Sequence, residues 1–180
     1  MELTATTTIR KPVSEVFAFW RELENLPTFM AHLDEVRATG DRTSHWVASA
    51  PFGANVEWDA EIVEVVLAEK IAWRSTGKAD VPNAGVVRFV LAPDGVSTEV
   101  HVGLVYDIPG GAIGKVVAKY FGEEPHQQLD DDLRRFKQVM ETGEVMRSDG
   151  APWGKRARKE FPQRPAQPLS DAELEKGPDA

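Results

Sequence analysis

The 180-residue chain has no cysteine, and that single absence excludes disulfide frameworks, thiolate nucleophiles and zinc–thiolate sites together. No apolar run approaches the roughly 20 residues of a membrane span, and the opening Met1-Glu2-Leu3-Thr4-Ala5-Thr6 lacks the basic and apolar regions of a secretory signal. A cytoplasmic protein without stable membrane insertion is therefore expected. Positive charge is scarce as well. With 21 Lys and Arg against 29 Asp and Glu the formal net charge is −8, which leaves no overall cationic field to attract a phosphate backbone, so nucleic acid is not an expected partner. The four histidines are scattered without HExxH or similar spacing, and no metal or other cofactor is expected.

What is present is a chain 42% hydrophobic and 28% charged, long enough for one buried core and too short for two ordinary domains. The expected division is a folded domain over residues 1–145 and a charged, proline-rich, disordered tail over 146–180, where apolar periodicity ends. The tail is basic from Lys155 to Arg164, then acidic.

Leu3, Ala5, Thr7 and Ile9 alternate with polar residues and predict a first strand. Pro12 suits a helix start, and Val13, Val16, Phe17 and Trp20 follow at helical spacing. A second short helix is expected from Asn25, as cap, to His32. From Asp34 to Asp107, turn signals separate period-two runs. The clearest are Val56-Trp58-Ala60-Ile62 and Thr98-Val100-Val102-Leu104-Tyr106, with Ile71-Trp73 and Val87-Phe89-Leu91 between them. This spacing predicts an antiparallel meander, seven strands in all. Ile113, Val116, Val117, Tyr120 and Phe121 then form one helical stripe, and Leu129, Leu133, Phe136 and Met140 another. Ile113 and Leu129 stand roughly 160° apart on a straight helix, so a break is expected near Pro125.

The order strand, two helices, six strands, long C-terminal helix is the helix-grip layout, an α+β fold. The segments Pro12-Val13-Ser14-Glu15-Val16-Phe17 into Leu23-Glu24-Asn25-Leu26-Pro27, Val56 to Ile62, Lys70 to Ser75, Gly85 to Phe89, Thr98 to Val102 and Leu133 to Lys137 resemble the polyketide cyclase/dehydrase branch of the START/Bet v 1-like (SRPBCC) superfamily. The resemblance covers residues 1–145. It implies a deep apolar cavity between a curved sheet and the long helix.

The expected ligand-binding set is Trp46, Trp58, Trp73, Phe89, Val102, Leu104 and Tyr106 from the sheet, with Val117, Tyr120 and Phe121 from the helical side. Any one of them could instead pack an ordinary core. A cyclase needs a proton-handling group in the pocket, yet alternation turns Glu57, Asp59, Glu61, Arg88 and His101 outward. Tyr106, Tyr120 and His45 are the remaining candidates. Asp130-Asp131-Asp132 reads as a solvated face, because consecutive helical carboxylates do not converge. The residues thus point first to binding of an apolar lipid, quinone or polyketide-like molecule. An aromatase/cyclase or dehydratase is the second possibility, and an interaction module using the tail is the third.

Overall fold

The computed structural model describes residues 1–49, 55–77, 79–107, 110 and 125–143. The first strand, β1 (Glu2–Ile9), buries Leu3, Ala5 and Ile9 on one face. Helix α1 (Val13–Arg21) follows directly after Pro12 and buries Val16, Phe17 and Trp20. The next segment departs from expectation. It is a 3-10 turn, Leu23–Thr28, with Pro27 inside it, because a proline lacking its N–H suits a short 3-10 stretch better than an α-helix. Asn25 caps nothing; its side-chain amide instead donates to the Phe19 carbonyl at 3.0 Å and fastens the turn to α1.

Six further strands complete a single antiparallel sheet: β2 (Leu33–Ala38), β3 (Thr43–Ser49), β4 (Asn55–Val66), β5 (Lys70–Thr76), β6 (Asn83–Leu91) and β7 (Thr98–Tyr106). Their order is β1-β7-β6-β5-β4-β3-β2, so the chain meanders from β2 to β7 and β1 closes against β7. Register shifts between Leu33 and Glu35 and between Ile62 and Glu64 add local twist that helps the sheet curl. Period-two burial holds along β3 and β7. It fails at the end of β6, where Val90 and Leu91 are both exposed, so Leu91 does not continue the inward row of Val87 and Phe89.

The second helix, α2 (Pro125–Thr142), crosses the concave face and contributes Leu129, Leu133 and Phe136 to the core. Gly143 ends it in the left-handed conformation, φ 75°, donating its N–H to the Val139 carbonyl. The helix break expected before Pro125 lies outside the described residues, as do the 146–180 tail and its boundary. At one end of the concave face Phe17, Phe19, Trp20, Phe29, Phe89 and Phe136 pack with ring centroids 4.7–6.4 Å apart. Full burial of each such ring contributes about 1.5–3 kcal/mol, and this cluster anchors α1 and α2 to the sheet.

Electrostatics fastens the far end of α2. Glu141 accepts the Arg10 backbone N–H at 2.8 Å, the Arg10 guanidinium at 3.2 Å and the Lys137 ammonium at 3.0 Å, while Lys137 also donates to the Thr8 carbonyl. Burial alone would raise the Glu141 pKa; the hydrogen bonds from Arg10 and Lys137 outweigh it and hold it at about 2. Because the folded value lies below the ordinary 4.3 or so, the resulting stability is present above that pH and is lost as pH falls toward 2. Glu141→Gln is accordingly expected to cost roughly 1.5–3 kcal/mol at neutral pH, and to flatten the acid slope. Denaturant unfolding at several pH values checks this; an unchanged slope would remove Glu141 as the latch.

Candidate functional site

Away from the phenylalanine cluster, adjacent strands β3, β4 and β5 each turn a tryptophan inward. Trp46 and Trp58 are cross-strand partners with nearly parallel rings 5.7 Å apart, and Trp46 and Trp73 lie 6.4 Å apart at 14°. Gly85 on β6 lies opposite Trp73. A Cβ there would stand 2.2 Å from Trp73 Cζ2, so only glycine lets the indole lie against the β6 backbone.

The three indoles, with Leu104 and Tyr106 of β7 and Asn83 and Ala84 of β6, form the sheet side of a cavity; Met30, His32, Leu33, Leu129 and Asp132 complete its lining. Its volume is about 30 Å³, room for one or two water molecules. The deep cavity implied by the family resemblance is thus largely closed among the described residues, because three large rings occupy the concave surface.

The lining is not wholly apolar. Asp132 is 1% exposed, and a buried carboxylate survives only when donors answer it. Its Oδ1 accepts the Ala31 backbone N–H at 3.0 Å and an Arg135 guanidinium N–H, while Arg135 Nε donates to the Phe29 carbonyl at 2.9 Å. Its Oδ2 lies 3.5 Å from His32 Nδ1, which is also 3.4 Å from the Gln128 amide nitrogen. Burial first, and the Asp132 charge second, raise the Tyr106 pKa above its ordinary range. The phenol therefore stays protonated at neutral pH, able to donate or accept a hydrogen bond as a neutral group.

Of the sequence-derived candidates, Trp46, Trp58, Trp73, Leu104 and Tyr106 lie in the cavity wall. Phe89 and Val102 do not. Phe89 meets Phe17 of α1 edge-on at 5.5 Å, and Val102 is 2% exposed in the core, between Ala5 of β1 and Val87 of β6. His45 is removed from the cavity by strand parity: it lies on the face opposite Trp46, 2.8 Å from Asp59 and 3.6 Å from Glu57. His101 also faces outward, bonded to Thr6 at 3.1 Å. Val117, Tyr120 and Phe121 lie outside the described residues.

Asp132 and His32 were missed, and Asp132 corrects the solvated-face expectation for the aspartate run. Three residues after Leu129 and four before Phe136, Asp132 falls beside the buried stripe while Asp130 stays exposed. Helical phase was thus the available signal. Among the described residues there is no group of three His, Asp or Glu side chains able to hold a metal, and no helix is long and apolar enough to cross a membrane.

A curled seven-stranded antiparallel sheet gripping a C-terminal helix defines the Bet v 1-like, helix-grip class. Within it, the chain belongs to the polyketide cyclase/dehydrase and lipid transport family, whose model matches residues 9–134. It is 32% identical over 130 residues to an uncharacterized 17.2 kDa protein from the melC2-rnhH intergenic region of Streptomyces lincolnensis, covering 72% of this chain and 83% of that one. A Deinococcus radiodurans crystal structure is similar at 37% identity and TM-score 0.66, with 80% of this chain and 99% of that chain covered. The Zhui aromatase/cyclase from Streptomyces sp. R1128 shares the fold at 12% identity and TM-score 0.60, over 81% of this chain and 99% of its own.

The Trp73–Gly85 contact makes a direct prediction. Gly85→Ala should expel the indole from its seat and cost about 1–3 kcal/mol, read as a lower unfolding midpoint and an altered Trp73 indole resonance. Wild-type values for both would show that the ring does not depend on the glycine.

Proposed function

We propose that the domain binds an apolar small molecule, lipid, quinone or polyketide-like, between the sheet and α2. The observation that carries this reading is the tryptophan-lined cavity on the concave face beyond the phenylalanine cluster. Family membership and the aromatase/cyclase relatives of the same fold support it. Burial of apolar area contributes about 25 cal/mol per Å², enough to hold such a ligand without a charged anchor. A ligand larger than two waters requires the wall to yield, and Met30, with three rotatable side-chain bonds, is its most adaptable member.

A second reading, an aromatase/cyclase or dehydratase, gains from the Asp132–His32–Tyr106 group. Such chemistry needs an α-proton removed and a leaving hydroxyl protonated. Asp132 is already committed to Ala31 and Arg135, which suits it to orient His32; the imidazole then handles the proton and the Tyr106 phenol holds the substrate oxygen.

Native mass spectrometry of freshly purified protein, followed by organic extraction, tests the first reading. A stoichiometric apolar compound is expected; protein that is empty and ignores quinones, fatty acids and polycyclic phenols would overturn it. For the second, His32→Ala should abolish turnover of a poly-β-ketone substrate by at least about a hundredfold while leaving its binding intact. Equal turnover by the variant would reject His32 as the proton-handling group.

A further inference from the structure

We propose that the indole N–H of Trp58 is the oxygen anchor of the cavity, and that the ligand presents to it a neutral acceptor, a ketone or comparable carbonyl, on an otherwise apolar skeleton. The inference rests on the ligand-binding reading above and adds what the ligand must carry.

Three of the buried tryptophans differ in what their N–H groups meet. Trp46 donates to the Ser44 hydroxyl at 2.8 Å. Trp20 and Trp58 have buried N–H groups without a hydrogen-bond partner among the described residues. For Trp20 the surroundings account for this. It lies among rings, edge-to-face with Phe136 at 87° and 5.0 Å, where aromatic faces serve as weak acceptors, and it does not line the cavity.

Trp58 has no such substitute among the described residues. Its stacked neighbour Trp46 is inclined by only 22°, so a donor lying in the Trp58 ring plane cannot address the Trp46 face. The side chain is nine-tenths buried and forms part of the cavity wall. A buried donor left unmade is costly, and a ligand that satisfies it gains what an isosteric hydrocarbon does not.

The rest of the lining decides the charge of that acceptor. Among the described residues it includes the Asp132 carboxylate and no lysine or arginine. A ligand carboxylate would meet a like charge, whereas a carbonyl oxygen accepts from the indole without importing one.

The test uses 1-tetralone and tetralin, which share a skeleton and differ at the carbonyl. Both are titrated into ¹⁵N-labelled full-length wild type and Trp58→Phe. Wild type is expected to bind the ketone at least about fivefold more tightly, with the Trp58 indole resonance moving downfield while that of Trp46, held by Ser44, stays in place. Trp58→Phe should bind the two probes alike. A ketone preference that survives in the variant, or ketone binding that leaves the Trp58 resonance unmoved, overturns the anchor. Should Trp58→Phe not fold, the wild-type resonance decides alone. If neither probe binds wild type while another apolar compound does, the anchor falls and the cavity reading stands; if nothing apolar binds, both fall.

Discussion

A carboxylate buried to 1% exposure on the inner face of α2 constrains everything around it. A carboxylate is tolerated there only if donors are brought to it, and the donors come from two places: Arg135, one turn along the same helix, and the backbone N–H of Ala31. Arg135 also takes the Phe29 carbonyl. The helix is thereby fixed to the segment between the 3-10 turn and β2, which sets Phe29 in the aromatic cluster and His32 at the cavity. One charge therefore positions both the filled and the unfilled parts of the concave face.

That division explains why the cavity formed by the described residues is so small. Where α1 covers the sheet, phenylalanines interlock; where it does not, three tryptophans from β3, β4 and β5 lie nearly parallel over the surface, one of them resting on Gly85. The resulting wall is apolar in area but carries an indole donor, a phenol, an imidazole and a carboxylate. Such a mixture suits a ligand that is mostly hydrocarbon and bears oxygen at defined points.

The sheet was legible in the sequence because period-two alternation reports directly which side chains turn inward, as at Trp46, Trp58, Trp73 and Leu104. Parity also settles His45, because the Trp46–Trp58 pairing fixes the register of β3 and turns the neighbouring histidine outward. Alternation could not separate cavity from core. Phe89 and Val102 share the inward face with Trp73 and Leu104, and only what packs over each position, such as Phe17 of α1 over Phe89, distinguishes them. Leu91 broke the pattern at a strand end, where an outward row no longer needs to be polar. The aspartate run misled for a different reason: composition suggests solvent, while helical phase places its third member beside Leu129 and Phe136.

The central claim is that ligand enters between the indole wall and α2. Isotope-filtered nuclear Overhauser measurements with 1-tetralone bound to the labelled protein test it most directly. The account predicts contacts from probe protons to the Trp46, Trp58 and Trp73 rings and to the methyls of Leu104 and Leu129. Contacts confined to the exposed side chains Val63, Leu67, Val90 and Val96 would contradict it and place binding on the outer surface.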